Sequence, residues 1–183
     1  MYFDEIDAFV ARLKTRQLKP EDEEDIIDEI LDLYLLGYLD GAKEAAAQLN
    51  TEDRPEVAEM QAVIEKKIDG KNFRERVNEY LNGEMGNTTG TVEEAIARVV
   101  DTDATRIYNE ALLNTAVKHG AKSKTWVTMG DEKVRDQHSL LDGMTIPMDA
   151  YFYTYTGDKA LQPGGFETAE NNVNCRCWIT VSK

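Results

Sequence analysis

The sequence predicts an α+β protein: a helical N-terminal part followed by a small α+β C-terminal module with a short, mainly antiparallel sheet. Three observations carry that prediction. Before residue 120, apolar residues recur at the three- and four-residue spacing that lines one face of a helix. After it, the segments KTWVTM, MTIPM, YFYTYT and CRCWITV are rich in aromatic and β-branched residues, with Gly, Asp, Pro and Asn between them. Charge divides the chain in the same sense. Residues 1–60 carry 17 acidic and 6 basic groups, a net −11, against −2 for 61–120 and −1 for 121–183. An acidic helical region over residues 1–90 is therefore expected to precede a nearly neutral module over residues 91–183.

The elements follow in order. Phe3, Ile6, Phe9, Val10 and Leu13 predict a first short helix. A second is expected to start at Pro20, where proline suits the first helical position, with Glu21 to Asp25 placing carboxylates at the positive end of the helix dipole. Ile26, Ile27, Ile30, Leu31, Tyr34, Leu35 and Tyr38 form its apolar stripe. A third helical region runs from about Pro55 through Ile68, is broken near Gly70 and resumes over Phe73, Val77, Tyr80 and Leu81. The stretch 82–90 (NGEMGNTTG) is the clearest loop. Thr91 and Glu94 then form a capping-box pattern for a helix that Gly120 ends. Beyond the first strand, Asp131 is placed to cap a short helix over 132–141 that Gly143 ends.

At 183 residues the chain forms one or two units and buries roughly 70% of its unfolded surface. Its 42% hydrophobic and 31% charged residues suit a globular protein. No apolar run nears the roughly 20 residues that cross a bilayer, so no membrane partner is expected. Asp4, Glu5 and Asp7 follow Met1 where a secretory leader would be basic and then apolar, so synthesis and residence in the cytoplasm are expected. A net charge of −14 opposes contact with a phosphate backbone, which disfavours DNA as a partner. A local basic patch would have to come from Lys122, Lys124, Lys133 and Arg135; a solvated surface is their plainer reading. Cys175 and Cys177 are too few for a disulfide framework, and two residues apart they are poorly placed to bond to each other.

Those cysteines and one histidine are the candidate chemistry. In the predicted helix, Val134, His138 and Leu141 share a face. In the last strand, Cys175, Cys177, Ile179 and Val181 share one face, and Arg176, Trp178 and Thr180 the other. If the faces meet, His138, Cys175 and Cys177 make a soft nitrogen–sulfur site suited to zinc, with Asp136 or Asp142 as fourth ligand. Two small cysteines and a hydrogen-bonded histidine packed in a core explain the same pattern. Other signatures are absent: no GxGxxG, GxxxxGK[ST], HExxH or GxSxG occurs, and His138 lacks the glutamate of a zinc deaminase two positions on. His138 with a cysteine would pair base and nucleophile, but no orienting third group is visible.

From Val100 onward, the order of residues resembles the Mu F-like head-morphogenesis family of tailed bacteriophages. DTDATRIYNEALLNTAVKHG is similar to the family's helix. TWVTMGDEKVRDQHSLLDGMTIPMD resembles its central signature, carried by Trp126, Asp131, Arg135, His138, Asp142 and Gly143. NCRCWI, with Asn174, Cys175, Arg176 and Cys177, resembles its closing strand. About 80 residues are covered in the right order. Two positions depart: Asp101, Thr102 and Asp103 stand where the family has an Arg-Thr-Glu-like element, and Asn172 stands where relatives have a histidine three residues before the first cysteine.

The resemblance implies a non-enzymatic minor head protein. It would bind phage portal and capsid or scaffold proteins during assembly in the host cytoplasm, and be carried in the virion head with a link to DNA packaging or ejection. Self-association is not implied either way. Relatives fused to toxin domains imply an enzymatic effector of prophage origin as the alternative; with six residues after Cys177, its activity would lie in the module itself. A small zinc-stabilised nucleic-acid-binding module is the third reading.

Overall fold

Helix α1 (Tyr2–Leu13) opens the chain in the computed structural model, which describes residues 2–183. It buries Ile6, Phe9 and Leu13, the stripe that the sequence predicts. Pro20–Asp22 form a single 3₁₀ turn, and α2 (Glu23–Gln48) follows with Glu23, Glu24 and Asp25 in its first turn. α2 runs a further ten residues beyond Tyr38, where its buried face changes from Ile and Tyr to Gly41, Ala42, Ala45 and Ala46. Small residues let another helix come close: a methyl group at Gly41 would lie 2.2 Å from the Tyr108 carbonyl oxygen. Helices α3 (Val57–Ile64) and α4 (Phe73–Leu81) are separated by a tight turn in which Asp69 and Gly70 take positive φ.

The spine is α5 (Val92–Lys118). Its start is fixed by Thr91 and Glu94, each of which accepts the other's backbone N–H, and its end by Gly120 at φ 74°. Ile96, Val100 and Ile107 of α5 complete the core formed by α1 to α4. Leu112, Leu113 and Ala116 belong instead to a second core with Trp126, Leu141, Phe152, Phe166 and Ile179. The boundary read at residues 90 and 91 coincides with a loop, yet α5 serves both sides of it.

β1 (Ser123–Val127) lies between β2 (Thr145–Pro147) and β5 (Trp178–Ser182), antiparallel to both. β3 (Phe152–Tyr153) and β4 (Lys159–Ala160) make a separate antiparallel pair. The edge of β5 is closed by side chains: the Ile179 and Val181 N–H groups donate to Asn109 Oδ1 of α5 (3.1 Å) and Gln48 Oε1 of α2 (2.7 Å).

Three sequence expectations need correction. The helix expected over 132–141 is only α6 (Asp136–Ser139), preceded by Arg135; Asp131 caps no helix, because its carboxylate accepts the Lys133 N–H and pairs with Arg176. YFYTYT contributes only two strand residues, since Thr154 and Asp158 close a turn around Gly157 (φ 89°). The cysteines precede β5 rather than lie in it. Their alternation persists all the same: Cys175, Cys177, Ile179 and Val181 are buried, while Arg176, Trp178 and Thr180 are half-buried.

Candidate metal centre and adjoining basic cleft

Burial brings His138, Cys175 and Cys177 together. Their exposures are 1%, 1% and 3%, and both sulfurs lie 3.7 Å from His138 Nδ1. The three ligand atoms all fall within 4.8 Å of one another. A tetrahedral ion with Zn–S of about 2.3 Å and Zn–N of about 2.0–2.1 Å requires an N···S separation of about 3.6 Å. The donor set therefore fits a zinc-sized ion in type and in its two nitrogen–sulfur separations.

Packing and hydrogen bonds hold each donor. The His138 ring lies between the edge of Trp126 (centroids 5.6 Å) and the stacked face of Phe166 (5.4 Å), while its Nε2 is buried with no hydrogen-bond partner among the described residues. From α5, Thr105 Oγ1 donates to the Cys175 carbonyl at 2.6 Å and Asn109 Nδ2 to the Cys177 carbonyl at 3.0 Å. Both backbone anchors are buried, where hydrogen bonds resist exchange with water. α6 is tied down one residue before the histidine: Gln137 donates to Asn171, which donates in turn to Asp158. Burial alone would raise the Asp158 carboxyl, but Thr168, Asn171 and the N–H groups of Glu167 and Lys159 hold it below the ordinary range.

The cysteines share a proton unequally. The Cys175 thiol is drawn well below its ordinary value, first by the hydrogen bond from Cys177 and, against burial, by His138; Cys177 is pushed up because it supplies that proton and is itself buried. A cavity of about 10 Å³ is lined by all three residues, and Met129, Lys133, Val134, Arg135, Asn174 and Arg176 complete its wall. It opens beside a cleft of about 540 Å³ in which Lys14, Arg98, Lys133, Arg135 and Arg176 face Asp7 and Asp101. Burial and the nearby Asp7 push Asp101 up to about 6. An excess of cations here is notable in a chain of net charge −14.

Other residues singled out from sequence fall into place differently. Asp136 and Asp142 do not join the cluster: Asp136 is exposed, and Asp142 Oδ1 accepts the Thr128 N–H at 2.7 Å. Asn172 spends its side chain on both backbone groups of Phe166. Trp126 is fully buried in the second core. Arg135 donates to the Val173 carbonyl and Arg176 binds both oxygens of Asp131, at 2.8 and 2.7 Å, so both bracket the cysteine segment. Gly143 (φ 72°) turns the chain back to donate to the Trp126 carbonyl, and Asn174 (φ 54°) lines the cavity. The patch imagined from Lys122, Lys124, Lys133 and Arg135 does not form. Lys124 is 1% exposed and donates to the Met148 carbonyl, and burial lowers it to about 8.

Sequence reasoning missed the clamps Thr105 and Asn109, and it missed a buried ion network. Asp103 pairs with Arg76 at 2.5 Å and with Arg106 at 3.6 Å, and Arg106 also reaches Glu110 and the Val63 carbonyl. The available signal was polar residues at helical spacing (Asp103, Arg106, Glu110) on a stretch too apolar to be solvent-facing throughout.

A long helix supporting a small antiparallel sheet, with a histidine turn and a two-thiol segment converging beneath it, defines an α+β module of the kind its sequence motifs suggest. The family described as phage Mu protein F like protein matches residues 28–180, and the chain belongs to it. The match extends well upstream of the motifs and takes in most of α2 as well as α3 to α5. Membership makes this a phage head-related protein. No curated protein and no solved structure matches the chain.

Proposed function

We propose that the chain is a minor head protein that binds portal and capsid or scaffold proteins during head assembly in the host cytoplasm, and that it is retained in the virion, where it serves DNA packaging or ejection. Its action is binding rather than catalysis. The observation that carries this reading is the family match over residues 28–180. An apolar groove of about 600 Å³ between α5 and residues 148–161, lined by Leu113, Val117, Met148, Tyr151 and Leu161, adds support. Val117 is 58% exposed, and apolar surface gathered in a groove favours cover by a partner.

Co-expression with the portal and major capsid proteins of the same phage, followed by sedimentation of the assembled particles, tests the reading. The chain is expected in the particle fraction at low copy number, and Val117→Asp is expected to reduce its share several-fold without unfolding it. A chain that stays in the unassembled fraction while particles form normally contradicts the proposal.

A further inference from the structure

We propose that His138, Cys175 and Cys177 hold a zinc ion through three protein ligands, leaving a fourth, exchangeable position that faces the basic cleft. The inference is independent of the assembly role.

Convergence is the first argument. A nitrogen of a neutral imidazole carries either one lone pair or one N–H and so makes one good hydrogen bond, yet two sulfurs approach His138 Nδ1 at the same 3.7 Å. A packed core of two thiols and an imidazole needs only one such approach. A tetrahedral ion among the three donors needs both, at about that separation. Charge is the second argument: two thiolates with a divalent cation make a neutral unit, which suits a site whose donors are at most 3% exposed. The third is rigidity. The cysteine backbone is fixed by Thr105 and Asn109 and the imidazole by Trp126 and Phe166, so the ligands are in place before an ion arrives.

The fourth position follows from what surrounds the trio. No other His, Cys, Asp or Glu among the described residues joins the cluster, and the two carboxylates nearest in sequence to His138 point elsewhere. The space that adjoins all three donors is the cavity of about 10 Å³, close to the room one water needs. Lys133, Arg135 and Arg176 line that cavity and the larger cleft alike, so the outer position sits in a positive field. Water fills it in the free protein, and a small anion can replace it.

The full chain, purified without chelator or affinity metal, is expected to retain one zinc per molecule by elemental analysis. Exchange of zinc for cobalt(II) is expected to give thiolate-to-cobalt charge-transfer absorption and the intense visible bands of a tetrahedral ion. Azide should shift those bands if the outer position is open. Cys177→Ser should weaken the charge-transfer absorption by about half. Should that variant not fold, the wild-type thiols provide the same test: they are expected to react with a thiol reagent many-fold faster after chelation. Folded protein without zinc that gives no cobalt charge-transfer band would overturn the site and leave a packed thiol–imidazole core. A tetrahedral cobalt spectrum indifferent to azide would overturn the open position.

Discussion

Asn109 does more for the site than its place in the middle of a helix suggests. Its amide donates to the Cys177 carbonyl and accepts the Ile179 N–H, so one fully buried side chain bonds to both ends of the junction between the cysteine segment and β5. Asn109→Ala leaves a buried donor and a buried acceptor unpaired, each costing about 1–3 kcal/mol, and a loss of roughly 2–4 kcal/mol is expected in urea denaturation. Asp103 presents a second case. Asp103→Asn removes the carboxylate shared by Arg76 and Arg106, while Glu110 and the Val63 carbonyl still hold Arg106, so a loss of about 1–3 kcal/mol is expected by the same denaturation. Asp158 gives a pH signature. Its folded-state value is depressed, so its contribution is full above the ordinary carboxylate value of 3.8 and is lost as pH falls through the folded value. The stability deficit of Asp158→Asn should therefore be constant near neutrality and narrow on acidification below 3.8; a deficit that ignores pH would contradict the assignment. The roles of Asn109 and Asp158 were not legible from sequence, because the Cys177 and Ile179 groups that bind Asn109 lie 68 and 70 residues away and the Glu167, Thr168 and Asn171 groups that hold Asp158 lie 9 to 13 residues away across a loop. For Asp103 only the helical spacing to Arg106 and Glu110 was visible.

Helices were the most legible elements. Thr91, Glu94 and Gly120 mark both ends of α5, since capping is a local matter of one hydroxyl, one carboxylate and one left-handed residue. Strand lengths were less so: YFYTYT has the composition of a strand, but the turn closed by Thr154 and Asp158 takes three of its residues. The path of α2 past Tyr38 was illegible from the apolar stripe alone, because its contact with α5 is made by glycine and alanine. Gly41 makes this testable. Alanine favours a helix over glycine by about 1 kcal/mol, yet at this position its methyl group would meet the Tyr108 carbonyl at 2.2 Å. Gly41→Ala is expected to destabilise the protein by about 1–3 kcal/mol, as measured by the thermal midpoint, whereas stabilisation would show that the helices part easily.

Two periodicities, 3.6 around His138 and 2 along the terminal segment, put the histidine and the two cysteines on apolar faces; whether those faces meet was left open by the sequence and is answered by the fold. What sequence left hidden is the frame that makes it happen. One helix, α5, carries the core of α1 to α4 on its first half and clamps the cysteine segment through Thr105 and Asn109 near its middle. A partner bound at the groove beside Val117 and an ion held at the thiols would therefore act on one body. Trp126 and Trp178 lie in the C-terminal module, while most helical residues lie before it, so two optical probes report the two parts separately. Urea unfolding followed by tryptophan fluorescence and by far-ultraviolet circular dichroism is the most direct test of that unity. Superimposable single transitions are expected. A fluorescence transition displaced from the helical one would show that the module melts on its own and that α5 does not join the two cores.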